Sequence, residues 1–270
     1  GTYTSPITSP GRRFFTMLST LVGGRVSIAA ASVSTSKTAL TIAVKYGDSR
    51  RQFGPANSPE VPLLEYTVHR LLLLPRLATT YGLHFAVQDL IERYAAQTKK
   101  SAYDARSLEV DAAGLKAYAS IHAMRVIQSC REACGGQGYL AANRFGALRA
   151  DVDVFTTFEG ANAVLLQLVA KSLLSDYREE MGDLKLWGVV RYLADRAGTR
   201  VTEMNPIVTR STDEAHLRDP EFHEAALRYR EERLLGSLAR RLKALIDDGA
   251  TSFEAVNGTQ DHMVKLAMAH

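Results

Sequence analysis

Cysteine is nearly missing from this chain: in 270 residues there are two, Cys130 and Cys134. Four positions apart, they share one helix face and do not form a disulfide framework, so a reducing compartment fits. No apolar run approaches the ~20 residues a membrane-crossing helix needs; the greasiest patch, Leu71 to Leu74, is far too short, so no span is expected. The opening Gly-Thr-Tyr-Thr-Ser-Pro lacks the layout of a signal peptide. No charge sign is concentrated in a block. The net charge is +4, and in Arg228-Tyr-Arg-Glu-Glu-Arg233 the signs alternate as on a solvated helix face. This balance predicts solubility rather than nucleic-acid binding. Metal-site patterns are lacking too. There is no His-Glu-x-x-His and no pair of Glu-x-x-His motifs, and the seven histidines are dispersed. No serine sits in a nucleophile elbow. Alternating strand patterns are almost absent. Asp151-Val-Asp-Val-Phe155 alternates, but it is short and lies in a connector, so no sheet is expected.

What is present is helical periodicity. Hydrophobic residues make up 46% of the chain, ample for a packed core. Leu18, Leu21, Val22, Val26, Ala29, Ala30 and Val33 recur at three- and four-residue steps and predict a first helix from about Phe14 to Tyr46. Gly54-Pro55 and Ser58-Pro59 force a turn. A second helix is predicted from Glu60 to about Lys99, with Pro62 in its first turn and Pro75 as an interior interruption. A third runs from Ser101 to about Ala133, with a buried stripe through Leu115, Tyr118, Ala119, His122 and Val126. His122, on that apolar stripe, reads as a hydrogen-bonded core residue. A fourth is expected from about Thr157 to Tyr177. Long helices with short connections predict an all-α, up-and-down bundle over 1–180. Composition shifts thereafter. A helix over 183–197, a linker over 198–220, a charged helix over 220–247 and the start of another over 257–270 are expected.

Three segments carry candidate chemistry, each with an ordinary alternative. Thr156-x-x-Glu159 fits a capping box, in which the glutamate caps its own helix; a glutamate at a helix start is also a plausible general base. Gly135-Gly136-Gln137-Gly138 follows a helix rather than a strand, so the dinucleotide fingerprint fails. It reads either as a helix stop or as backbone packed against a ligand. Arg50-Arg51-Gln52-Phe53-Gly54 supplies either helix-dipole partners or an arginine aimed at phosphate.

Together these segments resemble the C-terminal helical part of the acyl-CoA oxidase and acyl-CoA dehydrogenase superfamily over about residues 1–178, and residues 181–270 resemble the start of the second, extra helical domain of acyl-CoA oxidases, so the resemblance implies a fragment of a larger oxidase-like chain. Gly23-Gly24-Arg25-Val26-Ser27-Ile28-Ala29 looks like the start of that domain, and Arg50-Arg51-Gln52-Phe53-Gly54 resembles its Arg-x-x-Phe-Gly stretch. Cys130 to Tyr139 resembles the glycine segment in its oxidase form, with Glu132 where dehydrogenases commonly have glutamine. Phe158-Glu159-Gly160, followed by Asn162, resembles the segment bearing the catalytic glutamate. Dehydrogenases usually follow that glutamate with Gly-Thr; here it is Gly160-Ala161, which favours the oxidase branch.

The resemblance implies that Glu159 abstracts the α-proton of a fatty acyl-CoA while FAD accepts a hydride from the β-carbon, giving a trans-2-enoyl-CoA. In an oxidase, O2 then yields H2O2; in a dehydrogenase, electrons pass to a carrier flavoprotein. It assigns Arg50, Gln52, Phe53, Gly135, Gly136 and Asn162 to cofactor binding, the first three usually toward the FAD of a neighbouring subunit, and Gly160 to substrate binding. It implies a homodimer or higher homo-oligomer and oxidation of fatty acids in a cytoplasmic, bacterial-type setting or, alternatively, a peroxisomal one. A non-catalytic helical interaction module is the reading from a different class.

Overall fold

The computed structural model describes residues 4–9, 13, 21–96, 102–180 and 212–270, the side chains of 102–105 and 177–180 excepted. Its contacts divide the chain into two compact units, Gly1–Leu165 and Leu166–His270.

In the first unit α1 (Val22–Ser49), α2 (Thr67–Ala95) and α3 (Ala102–Ala133) form a bundle, completed by the shorter α4 (Phe145–Phe155). Helix α3 packs against all three others and is buried on most sides. Small residues make this possible. Ala29, Ala39 and Ala43 of α1 and Ala112, Ala113, Ala117, Ala119 and Ala123 of α3 are fully or almost fully buried, so the backbones approach closely. Two serines sit in the same interior. Ser32 Oγ donates to the Ile28 carbonyl and Ser36 Oγ to the Ser32 carbonyl, so neither hydroxyl is left unpaired. Near the α1 C-terminus, Leu40, Leu73, Val126, Ile127, Phe145 and Val152 belong to one apolar cluster.

Three differences from the sequence reading have local causes. Helix α2 begins at Thr67 rather than Glu60, because the preceding backbone is used elsewhere. Gln52 N–H donates to the Val61 carbonyl, Val61 N–H to Phe53 and Leu63 N–H to Arg50, closing a small antiparallel clasp around Arg51 and Pro62. Pro62 leads into a single 3₁₀ turn, Leu63–Glu65. Helix α2 then carries Pro75 inside it, where the Leu71 carbonyl loses its usual donor. The stretch Asp151–Phe155 is helical. Phe145, Leu148 and Val152, three and four apart, are its buried face, and that period overrides the short alternation. The fourth predicted helix starts not at Thr157 but at Asn162, as α5 (Asn162–Glu180). Of the first predicted helix, Phe14–Thr20 lies outside the described residues.

Within the second unit, α6 (Glu214–Arg218) leads into α7 (Pro220–Asp247), followed by α8 (Ser252–Asn257) and α9 (Gln260–Ala269). Asp219 caps α7, accepting from Glu221 N–H, with Pro220 in the first turn. Thr251 and Glu254 form a reciprocal capping box at α8. Helix α9 packs on α7, and His270 Nδ1 lies 2.7 Å from Glu231 Oε1. The helix expected over 183–197 and most of the linker over 198–220 lie outside the described residues.

Candidate active site

The turn between α4 and α5 carries Glu159. The Phe158 N–H donates to the Val154 carbonyl and the Asn162 N–H to Thr156, closing residues 156–162 into a compact loop. Thr156 Oγ1 donates to Asp153 and Thr157 Oγ1 to Val154, both backward onto the end of α4. Neither hydroxyl caps α5, so the capping-box reading of Glu159 fails. Glu159 instead has a left-handed backbone, φ 56°, followed by Gly160 at φ 109°. For a residue with a Cβ this conformation costs about 1–2 kcal/mol and persists only where the surroundings impose it.

Those surroundings are polar, buried and drawn from α1 and α3. Arg25, 6% exposed in the first turn of α1, directs Nε at the Glu159 carbonyl at 3.4 Å. Its Nη1 lies 3.8 Å from Glu109 Oε1 of α3. Lys116, in the middle of α3, has no exposed surface. Its Nζ donates to the Gly160 carbonyl at 2.6 Å and to Asn162 Oδ1 at 2.9 Å. The Asn162 amide nitrogen donates in turn to Ser120 Oγ. Burial pushes the Lys116 ammonium down to about 8; the Arg25 charge adds to the fall and the Glu159 charge opposes it.

The Glu159 carboxylate itself lies over Gly24. A Cβ on Gly24 would stand 2.5 Å from Glu159 Cδ and within 2.8 Å of both oxygens, so glycine is what leaves room for the carboxylate. Glu159 Oε2 is buried and has no hydrogen-bond partner among the described residues. A buried carboxylate oxygen with free lone pairs is equipped to accept a proton.

A second cluster forms where α1 and α3 end. Gln52, Phe53, Glu132, Cys134 and Gly135 line one open cavity of about 720 Å3, together with Tyr46, Tyr66, His69 and leucines of α2. Phe53 is 69% exposed and left-handed at φ 60°. Tyr66 fixes this corner by donating its hydroxyl to the Gln52 carbonyl. Helix α3 stops at Ala133, and Gly135, at φ 53°, turns the chain into a 3₁₀ segment, Gly135–Tyr139. The glycines divide the work. A Cβ on Gly135 or Gly136 would meet open space, whereas one on Gly138 would come within 2.2 Å of the Arg131 carbonyl. The Arg131 guanidinium lies over the Tyr139 ring, 4.5 Å from its centre. Arg50 is exposed at the α1 C-cap and, like Gly136, is not part of the cavity lining.

The structure therefore gathers Gln52, Phe53 and Gly135 at one place and Glu159, Gly160 and Asn162 at another. Gly24 and Arg50 lie at opposite ends of α1, and the helical rise puts them roughly 39 Å apart. Within one chain these are two separate places. Sequence reading missed Lys116 and Ser120 and gave Arg25 no duty. One signal was available: Lys116 shares a helix face with Ala112, Ala119 and Ala123, so a lone lysine stands in a buried register. His122 is 6% exposed and bonds Thr80 Oγ1 at 2.8 Å, in the core and away from both clusters.

Residues 18–174 match the acyl-CoA oxidase C-alpha1 domain. The chain belongs to the acyl-CoA oxidase family. It is 44% identical over its whole length to peroxisomal acyl-coenzyme A oxidase 2 of Arabidopsis thaliana, of which it covers 39%. Among solved structures it is similar to acyl-CoA oxidase 3 of Yarrowia lipolytica, with a TM-score of 0.77 and 29% identity over 93% of this chain and 37% of that one. The fold is shared as well with acyl-CoA oxidase-1 of Caenorhabditis elegans, a structure complexed with FAD and ATP; the TM-score is 0.75 and the identity 22%, over 93% of this chain and 37% of that one. The chain thus spans about two fifths of these relatives. The plant relative is named as peroxisomal, and the cytoplasmic, bacterial-type expectation finds no support.

Proposed function

We propose that this chain is the helical part of a peroxisomal, FAD-dependent acyl-CoA oxidase, in which Glu159 is the base that removes the α-proton of a fatty acyl-CoA. The observation that carries this is the placement of Glu159 in a member of that family: a left-handed turn holds it over Gly24 with Oε2 buried and unbonded. In the reaction the α-proton moves to the Glu159 carboxylate as the β-hydrogen leaves with its electron pair, and the Cα–Cβ double bond forms. Exposed Gly160 offers backbone beside the thioester. Arg25 and Lys116 hold the turn from which the carboxylate projects. Overall, acyl-CoA and O2 give trans-2-enoyl-CoA and H2O2.

FAD is bound in an acyl-CoA oxidase of the same fold, and the residues here fit such a group. The ground over Gly135 and Gly136 is open, Phe53 presents an exposed ring, and Gln52 and Arg50 offer donors at the same end of α1. Bound there, FAD supplies the acceptor for the electron pair leaving the β-carbon. Because this end of α1 lies far from Glu159, one cofactor draws Glu159 from one subunit and Arg50, Gln52, Phe53, Gly135 and Gly136 from another, which implies a homodimer or higher assembly. Asn162, bonded on both sides by Lys116 and Ser120, serves this site by holding the turn.

The test is Glu159→Gln in the full-length protein. Loss of acyl-CoA oxidation and of peroxide release with FAD content unchanged is expected; activity within a few-fold of the unsubstituted enzyme overturns the assignment.

A further inference from the structure

We propose that Lys116 is the positioning residue of this site: from the middle of α3 its ammonium clamps the Gly160 carbonyl and the Asn162 side chain and so sets where the Glu159 carboxylate points. The inference rests on the reading of Glu159 as the α-proton base.

A lysine with no exposed surface needs a reason, because an ammonium removed from water is costly unless its donors are used. The alanine-lined interface of α1 and α3 would pack at least as well around an apolar side chain of similar length. What an apolar side chain could not do is bond the two residues that follow the base, Gly160 directly and Asn162 through its amide oxygen. Arg25 reaches the carbonyl of Glu159 itself. The turn is thus gripped at 159, 160 and 162 by buried cations from α1 and α3, which answers the requirement that its left-handed backbone be imposed from outside. Ser120 completes the grip by fixing the Asn162 amide. The charged groups facing Lys116 are Arg25 from α1, itself beside Glu109 of α3, and Glu159 from the turn. With an ammonium held near 8, the clamp weakens as pH rises through that value.

The experiment uses the full-length holoenzyme and the variant Lys116→Met, which keeps chain length and removes the charge and donors. One readout is turnover. The other is exchange of the α-hydrogens of 3,3-dimethylbutanoyl-CoA in D2O, followed by mass spectrometry. This thioester has α-hydrogens and no β-hydrogen, so it reports the base without any electron transfer. Misplacing the base by about 1 Å predicts a fall of the order of 100-fold in kcat and in exchange, with KM and FAD content unchanged. The unsubstituted enzyme should also lose kcat above about pH 8, and Lys116→Met should lack that limb. Exchange and kcat within about two-fold of the unsubstituted enzyme, with Glu159→Gln inactive in both assays, overturn the inference while leaving the base in place. Exchange that survives Glu159→Gln overturns the reading of the base, and this inference with it. If Lys116→Met does not fold, Asn162→Ala decides the matter: it removes one acceptor and leaves the lysine, and an unchanged exchange rate counts equally against the clamp.

Discussion

Glu159 and Gly24 meet at a distance that separates stability from catalysis. An alanine at 24 would press its Cβ on the carboxylate, at 2.5 Å from Cδ, but the pressed atoms are the far end of a flexible side chain. The fold can yield cheaply, and the Glu159 carboxylate, as the proposed base, cannot yield without leaving its place. Gly24→Ala is therefore expected to unfold within about 1 kcal/mol of the unsubstituted protein yet lose one to two orders of magnitude in kcat; denaturant titration beside steady-state kinetics checks it. His122 gives a prediction of the opposite kind. Burial, with the nearby Arg76 charge adding to it, pushes its imidazole down to about 4, from 6.5 when unfolded. Between these values the unfolded chain binds the extra proton. The stability contributed by neutral His122 is thus complete above pH 6.5 and lost as pH falls toward 4, by something like 3 kcal/mol at most. Urea midpoints measured from pH 7 to 4 should show that loss, and His122→Gln should flatten it. At this scale the sequence displayed Glu159 and hid its partners. A glutamate after Thr-x-x is visible in any reading, whereas the grip on it comes from Arg25 and Lys116, more than forty positions away. Only the odd lysine among alanines hinted at them.

Helices were the most legible elements, because their periods are local. The span 220–247 was read as observed, and α3 to within a residue. Boundaries failed where backbone hydrogen bonds went to distant partners, as in the clasp of Arg50 to Leu63, which delays α2 to Thr67. They failed also where a helix was short: three buried residues, Phe145, Leu148 and Val152, define α4, too few to outweigh an alternating run. The glycine segment after α3 shows what local reading blurs. Its glycines look alike in sequence and differ in space. Gly138→Ala drives a Cβ against the Arg131 backbone carbonyl and is expected to cost about 1–3 kcal/mol, seen as a lower Tm. Gly136→Ala meets nothing and should leave Tm unchanged. If the cofactor lies on that open ground, Gly136→Ala should weaken FAD retention in the full-length protein, measured by flavin fluorescence after gel filtration. Unchanged retention would remove Gly136 from the cofactor's footprint.

If the chain assembles as proposed, with each site shared between two subunits, the placement of the two clusters makes a genetic prediction. Full-length Glu159→Gln subunits and Arg50→Ala/Gln52→Ala subunits should each be nearly inactive alone. When the two are co-expressed with different affinity tags and the mixed species is isolated, one site has both defects and the other has neither, so oxidation should return to about half that of the unsubstituted enzyme. If instead the two clusters served one site within one chain, mixed oligomers would stay as inactive as their parents. The same placement turns α1 into a gauge bar. Its first turn meets the turn that carries Glu159 and its last turn leads into the clasp of Arg50 to Leu63, the whole helix being 28 unbroken residues. Inserting one residue in its middle would rotate the two ends by about 100° relative to each other and part them by about 1.5 Å. Inserting seven would restore the facing but lengthen the bar by roughly 10 Å. The span between two catalytic centres in an assembly would then be written into the residue count of a single helix, and length changes should be far less tolerated there than in the connectors on either side.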